Sequence, residues 1–162
     1  MLIRRAGKED IPILARMGLE HPGFPVWGEK GLRAEFEKNF SVTLAAEFRG
    51  RVSGFINFWI LKPPARQIVG MTEDVSHLAG GQVQLNSVLV SVPALNNGVA
   101  SALLGKLFEY ARKNACAEIA LEVNVRNLPA IRLYEKSDFK VVGRRPKFYN
   151  NTDDAILMRK EL

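Results

Sequence analysis

The stretch "NSVLVSVPALNNGVASALLGKLFEYARK", residues 86–113, carries the reading of the fold. Its opening, up to Ser91, is aliphatic and β-branched and stops short of Pro93, as a strand does. From Gly98 onward Ala100, Leu103, Leu104, Leu107, Phe108 and Ala111 recur at helical spacing and make one apolar stripe. Residues 117–125, "AEIALEVNV", return to alternation. Strand, helix 98–114, strand predicts a crossover that leaves 82–91 and 117–125 parallel and adjacent.

Working outward, residues 1–6 read as a strand, and Asp10 is placed to cap a helix whose apolar positions are Ile11, Leu14, Ala15 and Gly18. "HPGFPVWGEKGLRAEF" (21–36) is a loop broken by proline and glycine that leads into a second helix. Residues 41–48 and 52–61, joined by "RGR", predict an antiparallel hairpin. A long link, 62–81, precedes the central strand. A helix over 128–136 follows the crossover, and strands around "FKVVGRR" and "DAILMRK" close the chain. No linker, repeat or low-complexity tract divides it, so the expectation is a single mixed α/β domain over residues 1–162.

A chain of 162 residues can bury a full core without metals or disulfides. The lone Cys116 excludes an internal disulfide framework and multi-cysteine zinc patterns, which fits a reducing cytoplasm. "MLIRRAGKED" breaks into charge too early for a signal peptide or membrane span, so a cytoplasmic protein without membrane attachment is expected. The formal charge of +6 points to an anionic ligand. Apart from "GRRPK" at 143–147 the basic residues are dispersed and accompany no nucleic-acid motif, so sequence-specific nucleic-acid reading is not expected. A polyphosphate-bearing cofactor uses the same charge. His21 and His77 lack metal-ligand spacing, and no metal is expected.

Asn96-Asn97-Gly98 opens the helix, and a helix N-terminus offers unpaired amides and partial positive charge to a phosphate. Gly98, Ala100 and Ser101 are small enough for close approach, and Asn86 through Phe108 contain no Asp or Glu. Read blandly, the same residues are only a turn and a helix start. Neither the P-loop nor the G-x-G-x-x-G pattern matches.

With the strand order, this segment resembles motif A of the GNAT superfamily of acyl-CoA-dependent N-acyltransferases, Q/R-x-x-G-x-G/A. Here it stands as Leu95-Asn96-Asn97-Gly98-Val99-Ala100, with the glycine and the alanine kept and Leu95 in place of the leading Gln or Arg. The C-terminal third is similar to the RimI-type ribosomal-protein alanine N-acetyltransferases in Leu121-Glu122-Val123, Asn127, Ala130-Ile131, Leu133-Tyr134-Glu135, Phe139 and Asp154-Ala155 through Met158. Asp138 replaces the family's glycine before Phe139, and the link at 62–81 is longer than its usual turn.

The resemblance implies a GNAT fold with a mixed, mostly antiparallel sheet, acetyl-CoA as co-substrate and no metal. Glu122 falls on the general base and Tyr134 on the general acid. The cofactor contacts fall on Val88, Leu89 and Val90, on Asn96, Asn97, Gly98, Val99, Ala100 and Ser101, and on Asn127. The implied acceptor is a primary amine, above all a protein N-terminus such as that of a ribosomal protein, with a monomer or homodimer as the assembly. A small-molecule amine as acceptor, or a non-catalytic acyl-CoA-binding module, are the alternatives. Independently, Glu122 shares a strand face with Asn124 and Arg126, and Tyr134 shares a helix face with Ala130 and Ile131. Phe24 and Trp27 are candidates to line an acceptor pocket, and Cys116 reads as a structural thiol.

Overall fold

The computed structural model describes residues 1–21, 27–61 and 80–162. Strands β1 (Leu2–Arg5), β2 (Ser41–Phe48), β3 (Arg51–Leu61), β4 (Gly81–Val90), β5 (Cys116–Asn124), β6 (Lys140–Tyr149) and β7 (Asp153–Glu161) form one seven-stranded sheet in the order β1-β2-β3-β4-β5-β7-β6. Every neighbouring pair is antiparallel except β4 and β5, the predicted parallel pair. The helices are α1 (Ile11–Leu19), α2 (Glu29–Phe36), α3 (Val99–Lys113) and α4 (Leu128–Lys136). Among the described residues no helix is long and apolar enough to cross a membrane. The link 62–81 lies outside the described residues up to position 79, as do Phe24 and His77.

The β2–β3 turn is Arg49-Gly50, both with positive φ (52° and 73°), and a two-residue left-handed turn matches the strand twist. Strands β2 and β3 are buried through most of their length because both sheet faces are covered there. On one face α3 sets Leu103, Leu104 and Leu107 against Leu44, Ile56, Phe58, Val83, Leu85 and Ile119. On the other, α1 and α2 bring Ile11, Leu14, Met17 and Leu32 onto Ala45 and Phe55. Each such fully buried leucine contributes about 1.5–3 kcal/mol of apolar burial. α3 has no side-chain cap, so its place is set by this packing. Gly54 on β3 matters here: a Cβ at that position would sit 2.9 Å from both Leu89 O and Val99 Cγ1. The missing side chain lets the first turn of α3 lie against the end of β4.

Asp10 does not cap α1 as expected. It already has helical φ and ψ (−78°, −19°), closing a 3-10 turn over Lys8–Asp10 whose entry residue is Gly7. Its carboxylate instead accepts Arg4 Nη1 at 2.7 Å, Arg4 Nη2 at 2.9 Å and the Gly7 amide at 2.8 Å, tying β1 to the start of α1. The Arg4 guanidinium holds this carboxyl below the usual carboxylate range despite its burial.

Two residues past the end of α4 stands Asp138, whose φ is 65°, with Phe139 N donating to Tyr134 O at 3.0 Å and Asp138 N to Glu135 O at 3.0 Å. This is the left-handed helix stop that glycine usually supplies. The aspartate noted in the sequence therefore occupies glycine's conformation rather than changing the turn.

Candidate active site

The ladder between β4 and β5 runs from Gly81↔Cys116 to Leu85↔Leu121 and then ends. Strand β4 continues to Val90 beside β3, and β5 continues to Asn124 beside β7. The parallel strands therefore part, and a cleft of about 940 Å³ opens between them. The parting coincides with a bulge: Phe58 pairs with Leu85 and Asn57 with Ser87, leaving Asn86 as the extra residue.

One wall of the cleft is main chain. Ser91 N donates to Ser53 O at 2.9 Å, so the peptides of β4 alternate such that those of Val88 and Val90 face away from β3, into the opening. Leu89 lines the cleft, but its peptide faces β3 and its side chain packs toward α1 and α2. Past β4 the wall continues into the start of α3, where Asn96 (φ 60°) and Gly98 (φ 76°) are left-handed. The amides of Asn96 through Ser101 have no acceptor among the described residues, and all of these residues except Asn97 line the cleft. Asn97 instead turns its side chain back to Leu95 O at 2.9 Å. A Cβ at Gly98 would meet nothing within 4 Å, so glycine is required there by backbone conformation and not by space.

The opposite wall is side chains. Glu122 and Tyr134 both line it, so the two residues twelve apart in sequence are brought to one cavity. Glu122 is not bare: Arg145 Nη1 of β6 stands 2.6 Å from its Oε1, with the two side chains 56% and 27% exposed. So open an ion pair holds a geometry more than it adds stability. Tyr134 is 7% exposed and packs edge-on to Phe139. Its hydroxyl has no protein partner among the described residues, yet it is not among the atoms sealed from solvent, so it ends in the cleft. Burial, and to a lesser degree Tyr149, push this phenol well above the ordinary range near 10. Asn127 caps α4, its Oδ1 accepting Ala130 N at 3.3 Å, while also lining the cleft.

Four residues of the site were not assigned from the sequence. Tyr149, at the end of β6, is half-buried, and burial together with the charge of Glu122 raises its phenol. His21 Nε2 donates to Val90 O at 2.8 Å, which requires the ring proton on Nε2 and ties the end of α1 to the main-chain wall. Arg145 and Asn86 reach the site only through strand register, which composition does not display. The basic run "GRRPK" is partly committed to the fold, Arg144 pairing with Asp154 and Arg145 with Glu122. Trp27 lines the cleft. Cys116 is buried and its thiol pushed up by that burial, as a structural thiol is. Among the described residues no group of His, Cys, Asp and Glu is placed to hold a metal.

An N-alpha-acetyltransferase of Saccharolobus solfataricus is 39% identical over 77 residues, covering 47% of this chain and 46% of that protein. The chain spans less than half the length of the first curated relatives it matches. In fold it is similar to Arabidopsis thaliana NAA60 solved with acetyl-CoA (TM-score 0.83, 23% identity, 99% and 98% of the two chains). It is likewise similar to the ribosomal-protein-S18-alanine N-acetyltransferase of Escherichia coli (TM-score 0.80, 21% identity, 99% and 92%). Residues 15–139, from α1 to the start of β6, match the acetyltransferase (GNAT) family, and with the parted β4–β5 pair at its centre the chain belongs to that family.

Proposed function

We propose that the protein is an acetyl-CoA-dependent N-acetyltransferase acting by direct transfer, with the α-amino group of a protein N-terminus as acceptor. The observation that carries this reading is the parting of β4 and β5, which leaves the Val88 peptide, the Val90 amide and the first-turn amides of α3 without a main-chain partner along one cavity that also holds Glu122 and Tyr134. The names of the relatives in which the same fold acetylates protein N-termini support the acceptor class.

The chemistry follows from these groups. Acetyl-CoA lays its pantetheine arm along the free edge of β4 and its diphosphate on the amides of Asn96 through Ser101, with Asn127 beside it on the far wall. An α-amino group has a pKa near 8 and is mostly protonated at neutral pH, so a proton must leave before nitrogen can attack. Glu122 takes that proton, directly or through water, and the Arg145 guanidinium must yield as the ammonium arrives. The nitrogen lone pair then forms the new bond to the thioester carbonyl carbon, and a β4 amide holds the oxyanion. As the C–S bond breaks, the nitrogen gives its second proton to water in the cleft, sulfur takes the electron pair and receives the phenol proton of Tyr134, and that water returns a proton to the phenolate. Because burial raises that phenol, it stays protonated across the working range.

The test is a coupled measurement on the intact chain. Acetyl-CoA is expected to raise the melting temperature, and free thiol is expected to appear when peptides with an unblocked N-terminus are added. Stabilisation without thiol release on any peptide or amine would make the protein an acyl-CoA-binding module. Release with small amines alone would move the acceptor to that class.

A further inference from the structure

A chain of buried polar groups crosses the α2 face of the sheet and ends in the cleft. It starts at Glu35 of α2, which is 5% exposed and accepts Trp59 Nε1 at 2.7 Å, Ser41 Oγ at 3.0 Å and the Lys38 ammonium. Burial pushes this carboxyl up, but the three donors outweigh it and keep it ionised. Next comes Asn57, fully buried, whose Nδ2 donates to Ser41 Oγ at 3.0 Å and to Thr43 Oγ1 at 2.9 Å. Last is Asn86, whose Nδ2 donates to Asn57 Oδ1 at 2.9 Å.

The direction of every bond follows from the first. An ionised carboxylate only accepts, so the single hydroxyl proton of Ser41 is committed to Glu35. Ser41 Oγ must then accept from Asn57, which fixes the amide group of Asn57 toward β2 and its oxygen toward β4. That oxygen can only be met by the amide group of Asn86. Asn86 therefore keeps its own Oδ1 for something else. Among the described residues no donor reaches that oxygen, and it is not sealed from solvent. Asn86 lines the cleft at the bulge, one step beyond the last β4–β5 pair, Leu85↔Leu121; the matching next step on β5 is Glu122.

We propose that Asn86 Oδ1 is a binding group for the acceptor amine, accepting one of its N–H bonds while Glu122 takes the proton, and that Glu35, acting through Ser41 and Asn57, is the positioning residue that keeps this oxygen turned outward. The proposal rests on the acetyltransferase reading above. The bulge stands at the point where the strands part, and the residue it adds is Asn86 itself, which reaches Asn57 Oδ1 although Ser87 holds the paired position opposite Asn57. It also predicts selection for a nitrogen acceptor carrying at least two N–H bonds, since one is given to Asn86 and one is lost to Glu122.

The experiment compares steady-state rates on an N-terminal peptide for the unsubstituted protein, Asn86→Ala, Ser41→Ala and the double variant, with melting temperatures alongside. Asn86→Ala is expected to raise the acceptor KM about tenfold, the loss of one hydrogen bond to a charged group, with the acetyl-CoA KM unchanged. Ser41→Ala, which frees Asn57 to turn over, is expected to raise the acceptor KM several-fold alone and not at all on top of Asn86→Ala. Asn86→Ser, which restores an oxygen, is expected to recover part of the loss. An acceptor KM unchanged in Asn86→Ala, or effects of the two variants that simply add, would overturn the assignment in an enzyme that is otherwise active. Absence of acetyl-CoA stabilisation and thiol release in the unsubstituted protein would overturn the acetyltransferase reading itself and this one with it.

Discussion

The two walls of the cleft are built from different parts of the chain's chemistry. The β4–α3 wall offers peptide groups of Val88, Val90 and the start of α3, whereas the β5–α4–β6 wall offers the side chains of Glu122, Tyr134 and Tyr149. A main-chain wall depends on shape, set here by Gly54 and Gly98. A side-chain wall depends on identity. Substitutions on the second wall should therefore remove turnover and spare cofactor binding, and those that disturb the backbone of the first should do the reverse, Asn86 being the one side chain of β4 assigned above to the acceptor.

The largest break in that contrast is expected from Glu122→Gln, which keeps the shape and removes the proposed base. General-base contributions run from about 10²- to 10⁴-fold, so kcat should fall by about that much. Acetyl-CoA binding, read by thermal shift or calorimetry, should stay within about twofold, because the proposed mechanism sets Glu122 against the acceptor. A matching loss of acetyl-CoA affinity would erase the distinction between the walls.

Tyr134→Phe comes next, with a fall in kcat of about 10- to 100-fold, since the thiolate can still take its proton from water. It carries a pH signature as well. Burial raises this phenol in the folded state above its unfolded value near 10, so the folded protein holds the proton more tightly. The stabilisation that this represents is whole below about pH 10 and is lost as pH rises beyond it. Chemical denaturation at pH 9 and above should show that alkaline loss in the unsubstituted protein and a smaller one in Tyr134→Phe.

The faces of both groups were legible in the sequence for a local reason, whereas their pairing came from the family resemblance. Glu122 and Tyr134 lie on consecutive elements, β5 and α4, so alternation and helical spacing alone place their faces. The parallel crossover was legible for the same reason, because a strand, an apolar-striped helix and a second strand follow without interruption. What escaped the sequence is long-range. Arg145 meets Glu122 across β7, through a register that shifts twice between β6 and β7. Asn86 reaches its place by one extra residue in β4, which alternation reads as noise. Asp10 is a local miss: it fits a cap by residue type, but Arg4, on the strand just before it, takes its carboxylate. Periodicity records which face a residue takes, not which residue faces it.

On the main-chain wall the corresponding test is Gly98→Val. The site has room for a side chain but holds φ at 76°, where a β-branched residue costs about 1–2 kcal/mol or forces the turn to rearrange. The amides of α3 would then be misdirected, and acetyl-CoA affinity is expected to fall about tenfold or more. The rate from the bound complex should change far less. A fall in kcat at saturating acetyl-CoA with unchanged affinity would show that the two walls are not separable.

The smallest effect is expected where the side-chain wall borrows a main-chain device. Tyr134 is the residue whose carbonyl receives Phe139 N in the turn that ends α4, and Asp138 at φ 65° completes that turn. An aspartate there is less strained than a β-branched residue but still costs about 1 kcal/mol relative to glycine. Its contact with Lys160 Nζ is 3.5 Å long and 81% exposed on the aspartate side, too open to repay much of that. Against the gain stands the greater freedom of glycine in the unfolded chain, up to about 0.5–1 kcal/mol. The balance favours Asp138→Gly by a few tenths of a kcal/mol, or about 1–2 °C in melting temperature for a chain of this length. Turnover should not change, because Tyr134 is held by its packing on Phe139 and by the burial of its ring as well as by this turn. A lower melting temperature would mean that the Lys160 contact outweighs the strain; altered turnover would mean that the phenol is aimed by the turn itself, so that even the side-chain wall depends on backbone shape.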